Sequence, residues 1–183
     1  LSDGAVALTK TAGRISALEA ILPAEDAGQS IGLGHTRWAT HGAPTTTNAH
    51  PHVDCTGKII VVHNGIIENY ATLKTWLAGK GCTFASETDS EVVATLIGHF
   101  YADPTESGAT AALEGVARFE WAVQQALREV VGTYGLAIVC TDLPNVLIGA
   151  KKGSPLILGV GENEYILASD AAAIVEHTTQ AIY

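Results

Sequence analysis

Methionine is absent from these 183 residues, cysteine occurs three times and basic residues only ten. Each scarcity narrows the field. At a usage of roughly 2% a chain this long would carry about four methionines, and this one opens on Leu1, so the expectation is a segment of a longer protein. Ten Lys and Arg stand against 19 Asp and Glu, a net charge of −9 with no basic run. A surface that tracks phosphates is thereby excluded, and nucleic acid with it as a partner. The longest apolar runs, IIVVH at 59–63 and YGLAIV at 134–139, fall far short of the roughly 20 residues needed to span a bilayer. No secretory leader is visible at the start. Cys55, Cys82 and Cys140 are odd in number and widely spaced, which fits neither a disulfide framework nor a Cys-x-x-Cys metal clip. A reducing cytoplasm is the expected location.

What is abundant is apolar: 47% of the residues, with 19 Gly and 6 Pro, as in one compact domain. Residues 5–9 read as a short strand, and TAGRISALEAIL at 11–22 as a helix with Ile15, Leu18, Ile21 and Leu22 on one face. After a polar linker and an extended stretch at 31–40 comes the loop HGAPTTTNAHPH at 41–52, rich in turn formers. KIIVVH at 58–63 is a β-branched strand buried on both faces and ending in Asn64-Gly65. A helix over 67–79 should bury Tyr70, Leu73, Trp76 and Leu77, with glycines 79 and 81 stopping it, and CTFAS at 82–86 reads as a strand. Thr88-x-x-Glu91 is a capping box that opens a helix with Val92, Val93, Leu96, Ile97 and Phe100 inward. A third helix carries Val116, Phe119, Val123, Leu127 and Val130, and the last third breaks into short strands separated by DLPN, KGSP and GENE. Helices segregated between strand-rich ends predict an α+β fold of layered sheets rather than a doubly wound parallel sheet.

Three strings join strand ends to clustered polar groups: GHTRWATHG at 34–42, VVHNG at 61–65 and SETDSE at 86–91. Singly, each has a plain structural meaning. Arg37 could be a surface ion-pair residue, Asn64-Gly65 a type I′ hairpin turn and Asp89 a first-turn acid at a helix N-terminus.

In order and spacing, these strings together with NAHPH at 48–52 resemble the glutaminase domain of the glutamine–fructose-6-phosphate aminotransferase family, a class II glutamine amidotransferase domain. The likeness continues through AGRISALEA, GTYGLAIV, KKGSPLILG and ILASDAAAIVEHT, nearly the whole chain. It implies a single amidotransferase domain over 1–183 with the N-terminal-nucleophile hydrolase fold, an αββα sandwich. L-glutamine would be hydrolysed to glutamate and ammonia without a cofactor. The ammonia would pass to a C-terminal sugar-phosphate isomerase domain, absent from this chain, that turns fructose 6-phosphate into glucosamine 6-phosphate in a cytoplasmic homodimer.

The resemblance assigns roles that suit the chemistry. Glutamine is a zwitterion, and Arg37 matches the family's clamp on its α-carboxylate, Asp89 the clamp on its α-ammonium; a guanidinium offers paired, charge-assisted donors. Thr40 and His41 would add donors beside the carboxylate, Trp38 would line the wall and the ammonia route, and His50 would support the pocket. Asn64, through its side-chain amide, and Gly65, through its N–H, match the oxyanion hole that the tetrahedral intermediate needs. The family's nucleophile is an N-terminal cysteine activated by its own α-amino group. Leu1 is not that residue, and LSDGAVAL matches a segment that follows the family's opening strand. Cys55, Cys82 and Cys140 fall where the family has no catalytic cysteine and are expected to be inert. Residues 1–183 alone are accordingly expected to be inactive.

Other readings have weaker support. His50 and His52 with His35 or His41 could supply nitrogen ligands to zinc, but no carboxylate sits at ligand spacing. His63, His99 and His177 read as structural. A glutamine-sensing module would have no use for the oxyanion donor Asn64, and an amidotransferase with phosphoribosyl pyrophosphate as acceptor usually carries a different string in place of HTRWATHG.

Overall fold

A computed structural model of the chain describes residues 6–23, 30–37, 42–107 and 113–183. Among the described residues, two antiparallel sheets and the helices packed with them make an α+β fold. The larger sheet runs in the order β1-β2-β3-β4, with β1 at His52–Val53, β2 at Ile59–Ile67, β3 at Gly132–Cys140 and β4 at Leu143–Lys152. The smaller places β5 (Ile157–Val160) between β6 (Tyr165–Ala168) and β7 (Ala181–Ile182). Helices α2 (Tyr70–Gly79), α3 (Asp89–Ala102) and α4 (Gly115–Glu129) lie between β2 and β3 in sequence, as the segregated pattern predicts.

Strand periodicity explains the layering. Ile59, Val61 and Ile67 of β2 and Leu136, Ile138 and Cys140 of β3 join α2, α3 and α4 in the main core, whereas Ile60 and Val139 face the other way, toward Ile31, Leu33 and Leu147. Helix α3 is buried almost all round, since β2 lies beneath it and α2 and α4 flank it. That is why it shows no polar face. Helix α4 buries a single stripe, Phe119, Ala122, Val123 and Ala126, at the i, i+3, i+4, i+7 spacing of a surface helix. The turn between β1 and β2 is organised by Asp54, whose carboxylate accepts from the N–H groups of Thr56, Lys58 and Ile59 at 2.8–3.0 Å. Helix α3 passes so close to this turn that a Cβ at Gly98 would collide with the Asp54 carboxylate.

Several elements differ from the sequence expectation, each for a local reason. Residues 6–9 pair with no strand, and the expected helix over 11–22 shrinks to α1, Ile15–Glu19. Of the expected apolar face, Ile15, Ile21 and Leu22 are exposed and Leu18 is only partly covered, so little packing supports a longer helix. Trp76 projects outward, with the Lys80 ammonium over its ring and its edge near His99. Residues 82–86 are not a strand, because the N–H groups of Ala85 and Ser86 donate to the Glu91 carboxylate instead of a ladder. The capping box is therefore modified. Thr88 Oγ1 accepts from Glu91 N at 3.2 Å, but the Glu91 carboxylate reaches past the cap to the segment before it.

Candidate active site

Strand β2 does not end at Asn64-Gly65. It runs on to Ile67, with Asn64 opposite Gly135 and Gly65 opposite Tyr134, so the pair is no hairpin turn. Gly65 has φ +142°, and a Cβ there would run into the Thr133 carbonyl; only glycine fits. Asp89 opens α3 and is buried, and its Oδ2 accepts the Ile67 N–H at 2.9 Å. This bond brings the end of β2 against the start of α3. A small cavity of about 130 Å³ forms at the junction, bordered by Arg37, His50, Asn64, Gly65 and Asp89. Five of the residues selected from the sequence thus surround one space. Trp38, Thr40 and His41 lie outside the described residues.

Arg37 donates to the carbonyls of Ala43 and Gly42, at 3.0 Å each, which occupies two of the five N–H groups of its guanidinium. The same loop is held from the far side by Asn48. Its side chain donates to the Ala43 carbonyl and to Glu87 and accepts from Glu87 N. Lys10 adds bonds to the carbonyls of Thr47 and Pro51.

Histidines crowd one side of the cavity. His50 and His63 both meet Ser90 Oγ at 3.0 Å, and His52 Nε2 meets Thr88 Oγ1 at 3.1 Å. His35 stacks on His50 with ring centroids 3.9 Å apart, and its Nε2 lies 2.8 Å from Asn64 Oδ1 and 3.0 Å from the His63 carbonyl. Burial, reinforced by the neighbouring His35, drives the His50 pKa down to about 2. Burial also takes His52 to about 3 and lowers His35. His35 and His50 therefore carry no charge at neutral pH, and the Arg37 guanidinium and the Asp89 carboxylate stand at the same cavity. A small zwitterion suits such a wall. Among the described residues no cluster of His, Cys, Asp or Glu is arranged to hold a metal ion.

Residues 35–176 match the family described as a glutamine amidotransferase domain. The chain belongs to this family. Its glutamine amidotransferase sequence is 45% identical over 184 residues to the glutamine–fructose-6-phosphate aminotransferase (isomerizing) of Chlorobaculum tepidum, covering 99% of this chain and 28% of that protein. Against the protein of the same name from Methanothermobacter thermautotrophicus it is 45% identical over 182 residues, 100% of this chain and 29% of the relative. The amidotransferase chain thus spans less than a third of the length of these relatives. Among solved structures, the glutamine phosphoribosylpyrophosphate amidotransferase of B. subtilis aligns with a TM-score of 0.57 at 23% identity, over 79% of this chain and 29% of that one. A structure described as the allosteric regulatory enzyme of purine biosynthesis gives 0.59 at 24%, with the same coverage. At such identities the likeness is one of fold.

Sequence reasoning weighed His35 only as a metal ligand and passed over Ser90. Both border the cavity. The available signal was their place inside the strings already singled out, His35 two residues from Arg37 and Ser90 one residue from Asp89. The three cysteines are free and none borders the cavity. Burial raises the Cys140 thiol and, with Cys55 beside it, pushes Cys82 up to about 12, against the low pKa that a reactive thiol needs. No helix among the described residues is long and apolar enough to cross a membrane.

Proposed function

We propose that the cavity between β2 and α3 binds L-glutamine, with Arg37 on its α-carboxylate and Asp89 on its α-ammonium, and that Asn64 and the Gly65 N–H stabilise the oxyanion formed as the side-chain amide is hydrolysed. What supports this most directly is that a cation, an anion and an amide donor converge on one cavity. The cavity is well below the roughly 300–1,000 Å³ of drug-sized sites. Trp38, Thr40 and His41 are proposed to complete the carboxylate end and the wall, as the resemblance implies. The nucleophile is proposed to be the family's N-terminal cysteine with its α-amino group as base, supplied by the longer protein, and not Cys55, Cys82 or Cys140.

Residues 1–183 then act as the glutaminase domain, and the remaining length of the relatives corresponds to a sugar-phosphate isomerase part that uses the ammonia on fructose 6-phosphate. The name of the relatives, glutamine–fructose-6-phosphate aminotransferase, supports that acceptor. We place the protein in the cytoplasm, consistent with three free cysteines, and read it as a homodimer when complete. The deciding experiment is glutamine hydrolysis by the full-length protein with Arg37→Ala or Asp89→Asn. Each should raise the KM for glutamine by roughly 30- to 1,000-fold, from about 2–4 kcal/mol of lost charge pairing. An unchanged KM in both would overturn the binding assignment.

A further inference from the structure

We propose that His35 is a positioning residue that dictates which end of the Asn64 amide faces the cavity. This rests on the reading of Asn64 as oxyanion donor. Two acceptors converge on one ring nitrogen: His35 Nε2 lies 3.0 Å from the His63 carbonyl oxygen and 2.8 Å from Asn64 Oδ1. The carbonyl belongs to the main chain of β2, can only accept, and cannot be turned over. His35 Nε2 therefore carries the proton, whatever the charge of the ring.

With that proton fixed, the Asn64 atom facing it must be the amide oxygen, because a flipped amide would set N–H against N–H. The oxygen being held, Nδ2 and its two hydrogens point away from His35, and nothing among the described residues accepts from them. The backbone of β2 thus sets the His35 tautomer, and the tautomer sets the direction of the amide. Packing fixes the ring itself. It stacks against His50 at 3.9 Å, and among the described residues its buried Nδ1 meets no partner that would draw the proton to that side.

The consequence for the reaction is one of sign. An Asn64 amide turned over would present its oxygen, rather than its N–H, to the developing oxyanion, replacing attraction with repulsion. An unrestrained amide samples both orientations, so the part of His35 is to remove one of them before substrate arrives.

The test uses the full-length protein and glutamine hydrolysis. His35→Phe keeps a ring against His50 but has no donor. It should lower kcat by about 10- to 100-fold, the effect typical of removing a group that orients a site ligand, and leave the KM for glutamine within about twofold. His35→Gln can place an N–H near the position of Nε2 and should recover most of the loss, whereas the shorter His35→Asn should not. In an Asn64→Ala background His35→Phe should produce no further fall, because the amide it orients is gone. A loss that multiplies with that of Asn64→Ala, or a kcat unaffected by His35→Phe while Asn64→Ala lowers it, overturns the positioning role and leaves the oxyanion reading intact. An unchanged kcat in Asn64→Ala overturns the oxyanion reading itself. Should His35→Phe fail to fold, equal activity of the Gln and Asn variants overturns the proposal.

Discussion

The carboxylate of Asp89 reaches back from the first turn of α3 to accept the Ile67 N–H of β2 at 2.9 Å. One oxygen of the proposed ammonium clamp is therefore also a fastening of the fold, and its two duties separate by substitution. Asp89→Asn keeps an acceptor for Ile67 and removes the charge. Asp89→Ala leaves a buried N–H unpaired, which costs about 1–3 kcal/mol. Chemical denaturation of the two variants should show Asp89→Ala clearly the less stable, while both impair glutamine binding. Equal stability of the two would mean that the Ile67 bond contributes nothing.

Gly65 allows a sharper test of backbone geometry. Its φ of +142° and the adjacent Thr133 carbonyl leave no place for a Cβ. Gly65→Ala should destabilise the protein by at least about 1–3 kcal/mol, the usual strain of a side chain in such a conformation, and abolish glutamine hydrolysis. A Gly65→Ala protein with the parent denaturation midpoint would contradict the description of this strand.

Acid should loosen the domain through its histidines. His50 and His52 titrate at about 2 and 3 in the folded state, against about 6.5 when unfolded. Between those values the unfolded chain binds more protons, so stability rises with pH across this window and is lost as pH falls below about 6.5. At pH 5 the loss is on the order of 2 kcal/mol for each imidazole. Thermal midpoints at pH 7.5 and pH 5 should show the drop, and His52→Gln should reduce it. A pH dependence identical in that variant would refute the contribution of His52.

The cysteines give the last prediction. Cys55→Ala, Cys82→Ala and Cys140→Ala in the full-length protein should each keep kcat for glutamine within a few fold, the effect of Cys140→Ala being confined to stability because that residue is wholly buried. Loss of turnover in any one, with the fold intact, would make that thiol the nucleophile.

Where burial repeats with a regular period, the sequence was legible. The β-branched run of β2 and the inward face of α3 stand where their patterns put them; the expected stripe of α4 holds at Phe119 and Val123, while Val116 is exposed and Val130 lies beyond the helix end. CTFAS looked like a strand because its composition cannot reveal that the Glu91 carboxylate takes its N–H groups. The same limit applied at the site. Taken singly, Arg37, Asn64 and Asp89 had plain structural meanings and were selected through the resemblance of their strings to the amidotransferase family; they border one cavity. The orienting contact of His35 depends on a carbonyl 28 residues away, and no local pattern carries that information.

Strand β2 serves two layers with adjacent residues. His63 meets Ser90 on α3, whereas Asn64 meets His35 in the segment that crosses the opposite face. Because side chains alternate along a strand, one residue inserted anywhere between Ile59 and His63 would turn each of them toward the wrong layer at once. Tolerance to changes in chain length is accordingly uneven. The turn at 161–164, joining two strands of the smaller sheet at an exposed edge, is free to lengthen over evolutionary time, while the span from Ile59 to Gly65 is locked residue for residue.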